Sequence, residues 1–151
     1  MIRSNRCLYF KCFQDFCSED SNSILGTIVD SYHGDLLTSA REAWTEEIRI
    51  LKCLLESYKT EDGKIIFEYD IPRLGKRIDV VLLLRGIIFC LEFKVGETKI
   101  LMNDVDQVLD YALDLDNFHK LSEGKIIVPI LVATRYNSST TVVQESFIAE
   151  M

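Results

Sequence analysis

Two apolar runs joined by a two-residue connection constrain the fold of this chain more than any other feature. Residues 77–84 and 87–95 are dominated by Val, Leu, Ile and Phe, which makes them apolar enough for the centre of a sheet. They are separated by Arg85-Gly86, and a two-residue connection that contains glycine is typical of a tight β-hairpin. The sequence therefore predicts two adjacent antiparallel strands with a defined register.

Charged residues interrupt both of these apolar strands. With the turn at 85–86, Asp79 falls opposite Glu92, where the Cβ atoms of facing residues are roughly 4.5–5.5 Å apart and like charges repel. Lys94 points to the same face because side chains alternate along a strand, and Arg77 lies opposite Lys94. The patch is either a buried ion-pair cluster or a site where a hard divalent cation bridges the two carboxylates and Lys94 lies beside the attacking water. A register shift of one residue would separate the carboxylates onto opposite faces.

Three helices are predicted around this hairpin. Ser39 and Glu42 form a capping box, which predicts the start of a long helix through "AREAWTEEIRILKCLLESYK". Asn103 can cap a second helix over about 104–120. Residues 6–17 carry apolar side chains at roughly helical spacing, so we expect a short amphipathic helix near the N-terminus.

Two more strands complete the pattern. "KIIFEYDI" alternates as a half-buried strand does, so Ile65, Phe67, Tyr69 and Ile71 are expected on one face. "KIIVPILVAT" is apolar on both faces and is expected to be internal, although Pro129 lacks a ladder donor. The order α-β-β-β-α-β predicts an α/β fold with a mixed sheet flanked by helices.

Composition limits the class of protein. The chain has 151 residues with 48% hydrophobic content and a net charge of −7, which predicts one soluble domain over residues 1–151, with a core at about 36–135 and a helical N-terminal extension at 1–35. An acidic balance gives no general attraction to nucleic acid or to anionic membranes, so any phosphate-binding surface has to be local.

The N-terminal residues and the cysteines indicate a compartment. Charges interrupt the N-terminus too often for a signal peptide, and no apolar run approaches the ~20 residues of a membrane-spanning helix. The five cysteines include no CxxC pair, so a structural metal there is not expected. A reducing, cytoplasmic compartment without membrane attachment is the prediction.

Each long helix carries polar residues on or beside its apolar stripe. Glu47 lies on the apolar side of the first helix, whereas Glu46 is expected in solvent. A carboxylate on a packing face needs a partner, which is either the metal patch or, for a position at the rim, the backbone. Gln107 and Tyr111 are four residues apart on one face of the second helix, a pair that is also common in ordinary rim packing.

Together these features resemble the PD-(D/E)XK nuclease superfamily. The likeness lies in Asp79, in the tripeptide "EFK" at 92–94 across a hairpin, and in the element order. Gln107-x-x-x-Tyr111 resembles the additional motif of the RecB-like branch. The phrases "FEYDIPRLGKRIDVVLL", "FCLEFKVGE" and "DQVLDYALDLDNFH", within about residues 23–135, also resemble the N-terminal nuclease-like domain of a largely uncharacterised, mainly prokaryotic family. In that family the domain precedes a superfamily-1-helicase-like or Schlafen-like P-loop ATPase.

The resemblance implies a restriction-endonuclease-like core and a set of residue roles. The ligands of Mg²⁺ or Mn²⁺ would be Asp79, Glu92 and, through its backbone carbonyl, Phe93. Lys94 would orient the attacking water, and Glu47 would contribute a helix-borne acid through a water or a second metal. The residues that would contact the substrate strand or orient Lys94 are Lys76, Arg77, Gln107 and Tyr111.

The implied reaction is in-line hydrolysis of phosphodiester bonds in DNA, with RNA as the alternative substrate and 5′-phosphate and 3′-hydroxyl products. The sequence lacks the GxxxxGK[ST] of an ATPase, and Ile78 stands where the superfamily name has proline. The acidic helix "NDVDQVLDYALDLD" would repel a nucleic-acid backbone unless its acids face away or an ATPase partner delivers the substrate. The alternative prediction is therefore a catalytically silent, nuclease-derived module that binds or regulates a helicase-like ATPase.

Overall fold

The protein is described by a computed structural model that covers residues 6–72 and 74–137. Its elements in chain order are β1 (Tyr9–Cys12), α1 (Phe13–Ser18), α2 (Ser21–Ser31), α3 (Thr38–Leu55), β2 (Lys64–Ile71), β3 (Lys76–Leu84), β4 (Ile87–Lys94), α4 (Met102–Phe118) and β5 (Ile126–Ala133). Short 3₁₀ turns follow α3 at Glu56–Tyr58 and α4 at Lys120–Ser122.

The strands form one five-stranded mixed sheet in the spatial order β1-β2-β3-β4-β5. Neighbouring strands are antiparallel except β4 and β5, which are parallel. Helices α1, α2 and α3 pack in a first core, and α4 packs in a second. These cores lie on opposite faces of the sheet, because the consecutive residues Cys90 and Leu91 belong to different ones. The predicted mixed sheet flanked by helices and the order α-β-β-β-α-β are confirmed.

The predicted hairpin register is also confirmed. Leu84 faces Ile87 across the turn, and the pairing continues inward along both strands. Arg85 and Gly86 have φ values of +52° and +77°, as a two-residue turn with the twist of the flanking strands requires. Glycine adopts this conformation without strain, whereas Arg85 is held in it beside Glu61, with which it forms an ion pair.

The N-terminal extension differs from its prediction. The helix expected over 6–17 begins only at Phe13, and the residues before it form β1, where Tyr9 pairs with Phe67 of β2. Tyr9 is buried, whereas the next residue, Phe10, is 54% exposed. Successive side chains that point to opposite faces are typical of a strand. Because β2 offers an edge for pairing, four residues gain ladder hydrogen bonds there, and the extension joins the sheet instead of being purely helical.

Both long helices begin earlier than their predicted caps. Leu37 occupies the N-cap of α3 and makes no side-chain cap, so Ser39 already lies inside the helix and cannot act as an N-cap residue, whose backbone is non-helical. In α4 the N-cap is Leu101, not the predicted Asn103. The backbone N–H of Leu101 donates to the carboxylate of Asp104 at 3.4 Å, and the carbonyl of Leu101 accepts from the N–H of Asp104 at 3.0 Å.

The alternation expected along β2 reverses at Glu68. Ile65 and Phe67 lie in the first core as predicted, but Tyr69 and Ile71 pack on the opposite side with α4. The cause is the backbone of Glu68, whose φ of +54° interrupts the regular pleat. The side chains of Phe67 and Glu68, although consecutive, therefore both point towards α3.

Strand β5 is at the edge of the described sheet, and the prediction of an internal strand is wrong there. The N–H of Thr134 donates to the carbonyl of Lys94 at 3.2 Å, so even-numbered residues of β5 direct their N–H groups towards β4. Pro129, an odd-numbered residue, has its nitrogen at the open edge. It removes no bond to β4, and proline is tolerated at such positions.

Within the described residues, no helix is both long and apolar enough to cross a membrane. All five cysteines are free thiols, with Cys90 buried and Cys53 exposed.

Replacing Gly63 with alanine is expected to destabilise the fold by about 1–3 kcal/mol, because overpacking a core has that cost. A Cβ at Gly63 would lie 2.2 Å from the ring of Phe13, which is fully buried and donates its N–H to the carbonyl of Gly63 at 3.0 Å. Gly26→Ala is the matched control, since no atom lies within 4 Å of its added Cβ. In the middle of α2 this change should stabilise the protein by about 0.5–1 kcal/mol. Urea unfolding measures both, and equal effects would contradict the packing of α1 on Gly63.

Candidate functional site

Four carboxylates from four elements lie together where regular pairing between β2 and β3 is interrupted. The pairs Phe67–Val80 and Tyr69–Ile78 flank a gap, and in it Glu68 and Asp79 stand opposite each other. On β4, Glu92 follows next in the β3–β4 register, beyond the last regular pair. The fourth carboxylate, Glu47, comes from α3 and is close enough for its pKa to be shifted by the other three. We call Glu47, Glu68, Asp79 and Glu92 the carboxylate cluster.

Asp79 and Glu92 are neighbours, as the hairpin predicted. Oδ2 of Asp79 accepts a hydrogen bond from the backbone N–H of Phe93, the residue after Glu92, at 2.8 Å. Burial, and after it the charge of Glu92, raises the pKa of Asp79, while the Phe93 N–H acts in the opposite direction. Ionisation of both carboxyl groups at once is therefore unfavourable unless a positive charge lies nearby.

Lys94 provides a counter-charge on the α4 side of the cluster. Its Nζ lies 3.1 Å from Oε1 of Glu92, 3.0 Å from Oε1 of Gln107 and 3.5 Å from Oδ1 of Asp104. Burial disfavours the ammonium, but the hydrogen bond to Glu92 and the charges of Glu92 and Asp104 outweigh burial and raise the pKa of Lys94. Lys94 is therefore a cation at neutral pH. It can orient a ligand or stabilise negative charge, but it is not a base.

Gln107 and Tyr111 hold Lys94 in place. While Oε1 of Gln107 accepts from Lys94, its Nε2 donates to the hydroxyl of Tyr111 at 2.7 Å. Tyr111 is buried in the second core, so the chain of hydrogen bonds is anchored at one end by packing. Gln107 therefore contacts Lys94 directly, and Tyr111 is linked to Lys94 through Gln107.

Glu47 is the most deeply buried acid of the cluster. Glu47 is only 3% exposed, and its Oε2 has no hydrogen-bond partner within the described part of the chain. Burial, followed by the charges of Asp79, Glu68 and Glu92, raises its pKa well above the usual range. The neighbouring Glu46 instead pairs with Arg49 at 2.7 Å on the surface, as expected.

Glu68 is the cluster residue that sequence reasoning missed. Its Oε1 accepts from the indole Nε1 of Trp44 at 2.9 Å, and Oε2 lies 3.9 Å from the guanidinium of Arg77. Burial raises the pKa of Glu68, and the bond from Trp44 and the charge of Arg77 only partly oppose that shift. In "KIIFEYDI" an acid at an alternate position looks like an ordinary solvent-facing residue, so no local pattern could have revealed it.

The basic residues predicted at the mouth of the site have acidic partners. Lys76 lies 3.0 Å from Asp114 of α4. Arg77 was expected opposite Lys94, but its closest acid is Asp70 on β2, at 2.9 Å. Both side chains are therefore partly neutralised, which weakens their predicted role in binding phosphate.

A cleft of about 350 Å³ opens beside Lys94, and its walls are acidic. The residues that line it are Lys76, Asn103, Asp106, Gln107, Asp110 and Tyr111. Asp104 and Asp114 approach the two lysines, as described above, so four acids of α4 face this side. Those four acids therefore do not face away from the cleft, which was one of the two conditions under which the acidic helix would be compatible with nucleic acid. The reason is geometric: the residues sharing their helix face, Gln107 and Tyr111, also contact the site.

The carboxylate cluster fits a divalent cation in its chemistry. Carboxylate oxygens are the ligands of Mg²⁺, which usually takes one or two from protein and keeps water in its other positions. Oε2 of Glu47 and Oε2 of Glu92 are both buried without a hydrogen-bond partner in the described residues, and a cation would satisfy them. Across residues 6–72 and 74–137, however, no three Asp, Glu, His or Cys side chains converge as a metal-ligand set. The arrangement suits a cation held by few carboxylates, and it does not form an all-protein cage.

Comparison with models of protein families, with curated proteins and with solved structures finds no match to this chain.

Proposed function

We propose that the protein is a divalent-metal-dependent nuclease of the PD-(D/E)XK type that hydrolyses phosphodiester bonds in DNA, with RNA as the alternative substrate. The observation that carries this proposal is the pair of the half-buried Asp79 and the buried Glu92, with the charged Lys94 3.1 Å from Glu92. The element order supports the restriction-endonuclease-like topology that belongs to the same proposal: a helix, three antiparallel strands, a second helix and a parallel strand.

Each residue has a distinct role in this proposal. Asp79, Glu92 and the backbone carbonyl of Phe93 hold Mg²⁺ or Mn²⁺. Bound there, the cation supplies Lewis acidity and neutralises negative charge as the phosphodiester reacts. Lys94 orients the attacking water and stabilises charge on the phosphoryl oxygens. The hydrogen bond from Gln107 to Tyr111 fixes the Gln107 side chain, which in turn holds the Lys94 ammonium in position. A fixed position matters because a misplaced catalytic group loses much of its effect.

The acidic cleft favours a second candidate function. Asp106 and Asp110 line the cleft, and Lys76 is already paired with Asp114, so a nucleic-acid backbone meets negative charge there. A catalytically silent module that binds or regulates a helicase-like P-loop ATPase needs no nucleic acid in this cleft. In either function a reducing, cytoplasmic location agrees with the five free cysteines.

The dependence of cleavage on metal tests the nuclease against the module. The purified protein is incubated with supercoiled plasmid, single-stranded DNA and single-stranded RNA in Mg²⁺, in Mn²⁺ and in EDTA. We expect cleavage of at least one substrate with either cation and none in EDTA. Cleavage that persists in EDTA contradicts the proposed mechanism, and no cleavage under any of these conditions favours the module.

Neutralising an acid of the cleft should strengthen binding of the substrate. Asp110→Asn removes a negative charge from the cleft wall and is expected to raise affinity for a single-stranded oligonucleotide roughly two- to tenfold at low ionic strength, an effect that salt reduces. Asp116→Asn, an exposed position on the same helix outside the cleft lining, is the matched control and should change little. Fluorescence anisotropy in EDTA at two salt concentrations measures both. Equal changes in the two variants would show that the cleft does not bind the oligonucleotide.

A further inference from the structure

An apolar cavity lies on the α4 side of the sheet, near the β3–β4 turn and away from the carboxylate cluster. Its volume is about 480 Å³, within the range of roughly 300–1,000 Å³ that is typical of small-molecule sites. Ile88 lines this cavity, and Glu92 follows it by four positions on β4, a separation of about 13 Å at the rise of a strand. The proposed nuclease function therefore makes no use of the cavity.

The sheet provides an apolar floor for this cavity, and α4 with the turn after it provides a wall. The floor consists of side chains that pack with the second core: Ile66, Val81, Leu83 and Ile88. All of them except Val81 are only partly buried, so apolar surface of the floor is left uncovered by the described residues. On the wall, Leu121 is 80% exposed. Such a continuous apolar surface is typical of a place where an apolar group binds.

Cationic residues surround the opening of the cavity. Lys64 precedes Ile66 by two residues on β2, so its side chain points to the same face, and it is paired only loosely, at 3.9 Å, with the fully exposed Asp62. Lys125 is exposed and makes no ion pair among the described residues. Arg85 also lines the cavity, but its charge is offset by the ion pair described above. In a chain with a net charge of −7, two lysines without strong partners at one apolar cavity favour an anionic ligand.

A histidine on the wall of the cavity has a fixed orientation. The ring of His119 packs edge-on against the ring of Tyr69, with 6.2 Å between the centroids. Its Nδ1 is hydrogen-bonded to the hydroxyl of the buried Ser122 at 2.6 Å. Because Nδ1 is occupied, Nε2 is the ring nitrogen that can contact a ligand, and it is a donor when the Ser122 hydroxyl donates to Nδ1. Small-molecule sites usually combine apolar walls with a few polar groups placed in this way.

We propose that this cavity binds a small amphipathic anion. The apolar body of the ligand lies on the floor and covers Leu121, while a carboxylate or phosphate head group is held at the opening by Lys64, Lys125 and Nε2 of His119. The negative head group distinguishes this ligand from an apolar side chain of a protein partner, which would gain nothing from the two lysines. The site is separate from the carboxylate cluster, so this inference does not depend on the proposed function.

Calorimetric titration of the whole chain with three ten-carbon ligands tests the class of ligand. The ligands are decanoate, decyl phosphate and uncharged decanol, each used at low ionic strength and below the concentration at which it aggregates. We expect one molecule of an anionic ligand to bind per chain, at least ~10-fold more tightly than decanol, with an advantage that salt reduces. Comparison of the two anions shows whether a carboxylate or a phosphate is the preferred head group.

Reversing the charge of a lysine at the opening tests the position of the head group. Lys64→Glu and Lys125→Glu are each expected to weaken binding of decanoate at least ~5-fold and to leave binding of decanol unchanged. Lys99→Glu is the matched control, because Lys99 is exposed and does not line the cavity. Leu83→Trp places a large side chain on the floor and should weaken binding of all three ligands. Thermal unfolding of each variant verifies that it is folded.

Three results would overturn the proposal. One is the absence of saturable binding for both anions. Another is binding of decanol as tight as that of decanoate with no effect of Lys64→Glu or Lys125→Glu, because the lysines would then have no part in the site. The third concerns a second copy of the chain as the occupant: a concentration-dependent dimer in sedimentation equilibrium that Leu83→Trp dissociates would show that the cavity is a self-association surface.

Discussion

Replacing Lys94 with alanine is expected to lower the rate of Mg²⁺-dependent phosphodiester cleavage by at least ~100-fold, because removal of one group that stabilises transition-state charge typically costs 10²–10³. The ammonium of Lys94 is the only cation within 3.1 Å of Glu92 in the described structure, and Gln107 holds it at 3.0 Å. The other cation near the cluster, Arg77, lies 3.9 Å from Glu68 and is paired with Asp70, so it does not take the place of Lys94 beside Glu92. Initial rates of plasmid nicking under saturating Mg²⁺ measure the effect.

Two further variants complete this experiment. Asp79→Asn removes charge from the carboxylate pair but keeps an oxygen that can accept from the Phe93 N–H, and it should reduce cleavage by a similar factor. Lys99→Ala removes an exposed lysine five residues from Lys94 and should retain the wild-type rate. Equal cleavage by Lys94→Ala, Asp79→Asn and the wild type would identify a contaminating nuclease. Thermal unfolding of each variant shows whether a lost rate reflects a lost fold.

Replacing Glu47 with glutamine is expected to stabilise the cation-free protein by about 1–3 kcal/mol, the usual penalty of a buried polar group without a partner. Glutamine has nearly the same shape, carries no charge, and can donate its amide hydrogens to neighbouring carboxylates such as Asp79 and Glu68. The wild-type carboxylate lacks a partner at Oε2 in the described structure and has three acids close enough to raise its pKa. The same change should reduce the stabilisation that Mg²⁺ confers, since Glu47 belongs to the carboxylate cluster that is proposed to hold the cation.

Urea unfolding in EDTA and in Mg²⁺ measures both parts of this prediction. Glu46→Gln is the matched control on the same turn of α3: it breaks an exposed pair with Arg49, and exposed pairs contribute at most about 1 kcal/mol. If Glu47→Gln destabilises the cation-free protein as Glu46→Gln does, Glu47 is not under electrostatic strain. If Mg²⁺ stabilises the wild type and Glu47→Gln equally, Glu47 does not contact the cation.

The features that the sequence predicted correctly depend on local rules. The hairpin register follows from the two-residue turn at Arg85-Gly86 and from the strand period, so the approach of Asp79 and Glu92 could be derived without any distant contact. The spacing of Gln107 and Tyr111 depends only on the helical repeat, which is why that prediction also succeeded in placing the two side chains together.

The features that sequence reasoning missed depend on distant partners or on a single backbone angle. Tyr9 begins a strand only because β2 leaves an edge free, and four residues alone carry too little pattern to distinguish a strand from a helix. The edge position of β5 depends on the order of all the strands. Glu68 joins the carboxylate cluster through one positive φ angle. The residue type does not predict this angle, because glutamate rarely adopts that conformation.

Pro129, at the open edge of β5 in the described sheet, has a consequence for how this protein can associate with others. Exposed apolar edges invite another chain to add a strand, which is a common route to aggregation. At Pro129 an incoming strand would find no donor and would meet the pyrrolidine ring halfway along its length. Sheet-to-sheet polymerisation along β5 is therefore discouraged, and a stable assembly is better built through the helical faces or the loops.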